Sequence, residues 1–307
     1  MINTVEELIK KIKRDNTNDM LVDEIVEYYK KANIYNIQKR IEKFKNIPIE
    51  KLTEKKLRKE IYKVLLNEKK FHYISNNAVY PKGTKYFRVR KLDRENPLAT
   101  FSAYSDFWEP PKHFVTKEGR LNKVQESLLY TTPGNAAVPI KEMKISDGEI
   151  FMLIEYTSKT DVKVNIIGGD YDYKKLKINN KKAIEGHELY NNFLLSEFSC
   201  EVKEGEEYIY KISEFIAKDF FDLPPRVVQD AWAYKSIKDN KSYNVCFRPE
   251  IAHDILSLKG GMVCKLTNEE NKLSVVCVAI WNNNKIEYHP IDSEIAKSVF
   301  PEIISNM

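Results

Sequence analysis

Apolar residues recur every three or four positions through the first seventy residues, which is the spacing of amphipathic helices. No glycine occurs before Gly83, so nothing in this part of the chain interrupts a helical pattern. The segment therefore predicts a helical domain over residues 1–75. The predicted helices cover residues 5–12, 21–29, 34–44 and 52–65.

After residue 75 the pattern changes to short apolar runs separated by turn residues, which predicts strands. Residues 168–206 are polar and show no periodicity, and they predict an insertion or an extended loop. The glycine pair Gly260–Gly261 predicts a turn between apolar segments. These patterns predict an α+β protein, in which the N-terminal helices are followed by a mixed domain over residues 76–307. Its predicted elements are strands at 86–90, 150–156, 162–167, 231–234 and 243–247, a helix at 208–220, and a hairpin from 275–281 and 286–289.

Composition supports this interpretation and excludes several classes of protein. With 307 residues, 42% of them hydrophobic and 31% charged, the chain suits one large or two smaller globular domains. No long apolar run predicts a membrane span, and the lysines scattered through the first residues do not suit a secretory signal. The cysteines form no C-x-x-C pair, and no two histidines stand at metal-ligand spacing. We therefore predict a cytoplasmic protein with free thiols and no metal.

The positive charge of the chain is concentrated at its N-terminal end. Residues 1–70 hold 18 lysines and arginines against 12 aspartates and glutamates. Such a surplus is one feature of nucleic-acid-binding or partner-binding surfaces. Here the lysines alternate with glutamates, which is more typical of solvated helix faces. Binding of nucleic acid is the less favoured interpretation.

The residues with the most suggestive chemistry lie between Gly119 and Glu142. Arg120 follows a glycine in a polar loop, Tyr130 ends a short apolar run, and Glu142 stands twelve residues beyond it. A guanidinium, an aromatic ring and a carboxylate can together hold a phosphate, a flat base and a ribose. The chain has no glycine-rich phosphate loop and no nucleophile elbow. These residues therefore indicate a dinucleotide site of another kind.

Several short motifs extend this constellation in a fixed order between residues 80 and 260, and together they resemble the RES domain family. In order they are Phe87-Arg88-Val89-Arg90, Gly119-Arg120-Leu121-Asn122, Leu129-Tyr130, the segment from Ala136 to Glu142, Tyr234-Lys235-Ser236, and Asn244-Val245-Cys246-Phe247.

The resemblance implies an ADP-ribosyltransferase-like fold and a toxin that consumes NAD⁺ as its substrate, without a further cofactor. It implies catalytic roles for Glu142, which would stabilise the positive charge on the ribose, and for Arg120, which would bind the pyrophosphate. Tyr130 would stack on a ring of the dinucleotide. The remaining substrate-binding residues implied are Arg88, Arg90, Ser236 and Asn244.

The acceptor of the ADP-ribosyl group is open among water, phosphate and a protein side chain. An alternative function is a non-catalytic nucleotide-binding or regulatory module on the same scaffold. The resemblance also implies an antitoxin partner. The helices of residues 1–75 would bind that antitoxin, form a homodimer or recognise a target, and the sequence does not choose among these roles.

Overall fold

The computed structural model describes residues 15–223, 227–267 and 272–302, and it is an α+β protein. This part of the chain forms eight α-helices and ten strands. The helices are α1 (Asp15–Lys31), α2 (Ile34–Lys45), α3 (Glu54–Leu65), α4 (Ala137–Glu142), α5 (Lys181–Ser199), α6 (Tyr210–Phe220), α7 (Pro249–Ile255) and α8 (Glu294–Val299). The strands are β1 (Asn76–Tyr80), β2 (Lys85–Lys91), β3 (Leu129–Pro133), β4 (Ile150–Ser158), β5 (Val162–Ile167), β6 (Ala231–Lys235), β7 (Tyr243–Phe247), β8 (Leu256–Thr267), β9 (Lys272–Asn282) and β10 (Lys285–Pro290).

The chain divides into two compact units, and each contains more than one segment of sequence. Unit 1 takes its described residues from Met1–Ala78, Glu118–Lys123 and Asn165–Gln229. Unit 2 takes its described residues from Val79–Lys117, Val124–Val164 and Asp230–Met307. The chain passes between the units within β1 and β5. The first unit therefore includes a long segment that the sequence assigned to the second domain.

Unit 1 is built on helices whose apolar faces are buried. The helices predicted over 34–44 and 52–65 are confirmed as α2 and α3. Their first turns are capped by the side chains of Asn33 and Thr53, each accepting a backbone N–H. The helix predicted over 5–12 lies outside the described residues. The buried positions of α2 and α3 are Ile37, Ile41, Phe44, Leu57, Ile61, Val64 and Leu65.

The prediction of an extended loop over 168–206 was wrong, because these residues contain the nineteen-residue helix α5. This helix packs against α1, α2 and α6 within unit 1. Its buried face carries polar residues, among them His187 and Asn191, and it includes Gly186. The sequence therefore lacks the apolar periodicity by which a helix is recognised.

His187 shows how the polar residues of α5 are accommodated. The backbone N–H of Ile74 donates to its Nε2 at 3.3 Å, so Nδ1 carries the ring proton and lies 2.9 Å from the Tyr173 hydroxyl. The imidazole also stacks on the ring of Tyr73, with 4.9 Å between the ring centroids. Burial lowers the pKa of His187 from 6.5 to about 3, so the neutral ring is the native form.

Gly168, which follows β5, provides a test of backbone fit within unit 1. It has φ of +63°, and a Cβ atom there would lie 2.5 Å from the backbone nitrogen of Leu195. We expect Gly168→Ala to lower the free energy of unfolding by about 3 kcal/mol, because it adds a steric clash to an unfavourable φ. Urea unfolding measures this change. Gly83→Ala is the matched control, since Gly83 has φ of +87° but open space around it, and a loss as large there would show that the clash contributes nothing.

The ten strands form one sheet in the order β1-β5-β6-β7-β3-β2-β4-β8-β9-β10. The strands predicted in this region are confirmed, and β9 and β10 form the predicted antiparallel hairpin. The turn predicted at Gly260–Gly261 was wrong, since both glycines lie inside β8. A register shift in the pairing with β4 occurs beside them, and a Cβ at Gly260 would lie 2.8 Å from the carbonyl oxygen of Ala279. The glycines therefore permit close approach of strands.

Pairing between strands assigns the central side chains of unit 2 to two faces of the sheet. Phe87 on β2 lies opposite Thr132 on β3 and Glu155 on β4, so these three side chains share what we call the Phe87 face. Arg88 and Arg90 alternate with Phe87 and lie on the opposite side, the Arg88 face. Ile140 of α4 packs against the buried cluster that contains Phe87. Helix α4 therefore covers the Phe87 face.

Candidate functional site

The carboxylate of Glu142 is the centre of a cluster of polar side chains in unit 2. The hydroxyl of Ser236 donates to Oε1 of Glu142, and Nδ2 of Asn244 donates to the same oxygen at 3.1 Å. Ser236 and Asn244 lie 94 and 102 residues beyond Glu142 in the sequence. The structure thus brings together three of the residues selected from the sequence.

Glu142 is placed by the short helix α4, of which it is the last residue. The first turn is held by Asn135, whose Oδ1 accepts the backbone N–H of Ala137 at 3.0 Å. Pro139 lies in the first turn, where backbone N–H groups have no acceptor within the helix. The lack of an N–H in proline therefore costs the helix no hydrogen bond. Val138 and Pro139 are buried, so packing holds the helix and directs its last side chain toward Ser236.

Ser236 is placed by the turn that follows β6. Its backbone N–H donates to the carbonyl oxygen of Ser242 at 2.9 Å, which closes the turn. Its Oγ accepts the backbone N–H of Lys238 at 3.1 Å and that of Asp239 at 3.4 Å. Because the lone pairs of Oγ serve these donors, its proton is left for Glu142. The turn therefore sets the direction of the Ser236 hydroxyl.

Asn244 is oriented by Thr132, which sequence reasoning did not select. The Thr132 hydroxyl donates to Oδ1 of Asn244 at 3.0 Å, which leaves Nδ2 to donate to Glu142. Thr132 and Asn244 are 1% and 8% exposed, so water competes little for these bonds. Its position in the sequence could have indicated this role, because Thr132 stands two residues after Tyr130 and so lies on the same face of β3.

Loss of the Thr132 hydroxyl has a defined expected cost. Thr132→Val keeps the side-chain shape but leaves Oδ1 of Asn244 without its donor. We expect the free energy of unfolding to fall by about 1–3 kcal/mol, since a buried acceptor is left unsatisfied. Chemical denaturation measures this value. Thr132→Ser retains the hydroxyl and is expected to recover most of the loss, whereas equal losses in the two variants would show that the methyl group carries the effect.

Tyr130 lies on the Phe87 face beside this cluster. It is two residues before Thr132 on β3, and it pairs with Cys246, two residues after Asn244 on β7. Two residues along a strand correspond to about 6.6 Å. The Tyr130 side chain is half-buried. Its placement in unit 2 puts a ring next to the carboxylate cluster.

A cation on this face, Arg248, was missed from the sequence. Its guanidinium carbon lies 4.4 Å from the centre of the Trp232 ring. Trp232 pairs with Cys246, which in turn pairs with Tyr130, so all three belong to the same row of the sheet. Arg248 comes directly after the Asn244–Phe247 motif. It reaches Trp232 because β6 pairs with β7, and that pairing cannot be read from the sequence.

Arg88 and Arg90 lie on the other face of the sheet, away from Glu142. Arg88 donates to the carbonyl oxygen of Trp108, and Arg90 donates to the carbonyl oxygen of Asp106 at 3.1 Å. Arg90 also stacks over the Phe101 ring, 5.0 Å from its centre. Burial lowers the pKa of the Arg88 guanidinium. Both arginines therefore hold the loop that precedes residue 110, and the structure does not group them with the carboxylate.

Arg120 lies in unit 1, where it is 9% exposed. Its Nη2 donates to the carbonyl oxygen of Cys200, and its guanidinium carbon lies 5.2 Å from the centre of the Tyr210 ring. The turn before it is closed by a bond from the N–H of Gly119 to the carbonyl oxygen of Asn122 at 3.0 Å. These contacts fix the guanidinium within unit 1, and its role at a pyrophosphate stays a prediction from the sequence.

In the described segments, no group of three or more histidine, cysteine, aspartate or glutamate side chains is arranged to hold a metal ion. Among the helices that the structure describes, none combines the length and the apolar character needed to cross a bilayer. No family model, no curated protein and no solved structure matches the chain.

Proposed function

We propose that the chain cleaves the bond between nicotinamide and ribose in NAD⁺, with Glu142 as its catalytic residue. One observation carries the proposal: Ser236 and Asn244, which the RES resemblance selects together with Glu142, both donate to one oxygen of its carboxylate. A glutamate at a helix end is ordinarily solvated. Two donors from distant parts of the sequence support a positioned carboxylate instead.

In the proposed reaction, the bond between ribose C1′ and the nicotinamide nitrogen breaks. Its electron pair leaves with nicotinamide, which becomes neutral, and positive charge develops on C1′ and the ribose ring oxygen. The carboxylate of Glu142, placed against the ribose hydroxyls, stabilises this charge more in the transition state than in the substrate. An acceptor oxygen then forms the new bond to C1′, and when the acceptor is water its proton passes to solvent.

The residues around Glu142 take positioning roles in this scheme. Ser236 and Asn244 fix Oε1, and we assign Oε2 to the ribose hydroxyls. Thr132 holds the amide of Asn244 in the orientation that donates to the carboxylate. A carboxylate that is already oriented need not reorganise during the reaction, which is the main source of electrostatic catalysis.

Binding of the rest of the dinucleotide is assigned to the neighbouring side chains of the Phe87 face. Tyr130 offers a ring for stacking on the nicotinamide. Arg248, whose guanidinium lies over the Trp232 ring, offers the planar, permanently charged group that suits a phosphate.

The test is incubation of the purified protein with NAD⁺ and measurement of free nicotinamide by chromatography. Three acceptors are compared: water alone, added inorganic phosphate, and a protein extract with labelled NAD⁺. We expect release that rises in proportion to the amount of protein with at least one acceptor, and the productive acceptor identifies the reaction. Release no greater than that of a heat-treated sample in all three arms would overturn the catalytic proposal.

A second function is favoured by the same geometry, namely a nucleotide-binding module without catalysis. Both hydrogen-bond donors to Oε1 are side chains of the protein itself. Glu142 therefore also fits a structural role, in which it links α4 to the turn at Ser236. Calorimetry with NAD⁺ and ADP-ribose separates the two functions. Heat of binding without nicotinamide release would support the module, and release would exclude it.

A further inference from the structure

The Arg88 face carries a cavity that the proposed NAD⁺ chemistry does not use. Its volume is about 460 Å³, which is within the usual size of small-molecule sites. Tyr104, Trp108 and Trp281 line it together with His253 and Lys159. Trp108 packs on Tyr156, a neighbour of Arg88 on this side of the sheet. The aromatic wall of the cavity and Glu142 are therefore on opposite sides of the sheet.

The aromatic wall of the cavity is held in place before any ligand arrives. Arg88 donates to the carbonyl oxygen of Trp108, and the Tyr156 hydroxyl donates to that of Phe107. The carboxylate of Asp106 accepts two backbone N–H groups at 2.8 Å, from Ser102 and Ala103. These bonds fix the loop that carries Tyr104 and Trp108. A preformed wall loses little conformational entropy on binding.

The rings of this wall pack on one another in two pairs and offer an aromatic surface to the cavity. The centroids of Tyr104 and Trp281 are 5.3 Å apart, and those of Trp108 and His253 are 4.3 Å apart. The indole Nε1–H of Trp108 is buried and has no hydrogen-bond partner among the described residues. A buried donor without a partner is costly, so the stacking contacts of Trp108 outweigh this loss.

The charged side chains that line the cavity favour an anion over a cation. No aspartate or glutamate is among the described residues that line it, and the nearby carboxylate of Glu109 is hydrogen-bonded to Nε2 of His253 at 3.0 Å. The exposed ammonium of Lys159 donates to the carbonyl oxygen of His253 at 3.2 Å, which is a neutral acceptor. Lys259 also lines the cavity, but its ammonium pairs with Glu155 and Glu302. Lys159 is therefore the cation that would meet a ligand charge.

We propose that this cavity binds a heteroaromatic ring that carries a phosphate, a molecule of mononucleotide size. The ring stacks against the aromatic wall, and the phosphate pairs with Lys159. The proposal is independent of the NAD⁺ chemistry, because it uses no residue of the Glu142 cluster.

Calorimetric titration with AMP tests this proposal, with adenosine and inorganic phosphate as separate arms. We expect AMP to bind more tightly than adenosine, and phosphate alone to bind weakly. Lys159→Gln is expected to weaken AMP about five- to tenfold and to leave adenosine unchanged. Trp281→Leu is expected to weaken both about tenfold, and Trp281→Phe is expected to retain most of the affinity because it keeps a ring.

Two control variants make the outcome decisive. Lys297→Gln removes an exposed lysine that does not line the cavity and is expected to change nothing. Glu142→Gln is expected to retain AMP binding, because Glu142 is not part of the cavity. The AMP proposal can therefore hold even if the protein does not cleave NAD⁺. Absence of AMP binding to the wild-type protein would overturn the proposal. An AMP affinity that is unchanged in all three variants, Lys159→Gln, Trp281→Phe and Trp281→Leu, would show that AMP binds elsewhere. That result would also overturn the proposal.

Discussion

Replacing Glu142 with glutamine is expected to lower kcat for nicotinamide release by about 10²–10³-fold, the cost of removing one aligned electrostatic group from a transition state. Glutamine has nearly the same shape, and its Oε1 accepts the bonds from Ser236 and Asn244 as the carboxylate does. The variant therefore keeps the fold and the cluster. What it loses is the negative charge that would oppose the positive ribose, and KM is expected to change much less than kcat.

The control for this variant is Glu294→Gln. Glu294 is a glutamate whose side chain is 93% exposed, and it pairs with Lys297 of the same helix. We expect full activity from it. Ser236→Ala keeps the charge but releases Oε1 from one donor, so a smaller loss of about tenfold is expected. Wild-type turnover by Glu142→Gln would remove this residue from the chemistry, even if the protein cleaves NAD⁺.

Acidification is expected to destabilise the protein through His187, with the largest effect between pH 6.5 and pH 4. The folded protein holds this imidazole neutral, since burial lowers its pKa from 6.5 to about 3. The unfolded chain binds a proton below pH 6.5 and the folded chain does not, so protonation favours unfolding as the pH falls. The free energy of unfolding should therefore drop by about 3 kcal/mol between pH 7 and pH 4 from this residue alone.

Urea unfolding at several pH values measures this effect against His187→Gln. Glutamine does not titrate, so the variant is expected to be less stable at pH 7 but to lose less on acidification. The difference between the two proteins should therefore narrow as the pH falls from 7 to 4. His113→Gln, which removes an exposed histidine, should follow the wild-type profile. Parallel profiles for wild type and His187→Gln would show that His187 does not carry the pH dependence.

Elements with regular apolar spacing could be predicted from the sequence. Helices α2 and α3 bury residues at helical intervals, and their caps stand directly before them. The strands β4 and β7 are nearly continuous apolar runs, because both of their faces are covered. In each of these elements, burial of apolar surface determines the structure, and the pattern of the sequence records that burial.

Elements stabilised by other interactions could not be predicted in this way. Helix α5 buries His187 and Asn191, whose polar groups are satisfied by partners far away in the sequence. Gly260 and Gly261 look like turn residues, yet they permit close approach between strands. Local propensity therefore misled where tertiary contacts determined the structure.

The candidate site was predictable in part. Glu142, Ser236 and Asn244 come from short motifs, and the structure brings them together. The face on which an arginine of β2 lies depends on the strands beside it. A shift of one residue in pairing reverses the face. For that reason the sequence could group Arg88 and Arg90 with each other but not place them relative to Glu142.

The distances along the chain between Glu142 and its two donors also bear on how the protein is made. Synthesis proceeds from the N-terminus, so the carboxylate emerges about a hundred residues before Ser236 and Asn244. Contacts between such distant residues must overcome the entropy of closing a long loop, and they form late in folding. A nascent chain that ends before β7 contains Glu142 without its donors. We therefore expect any activity that requires the complete cluster to be absent from the nascent chain until most of the protein has been synthesised.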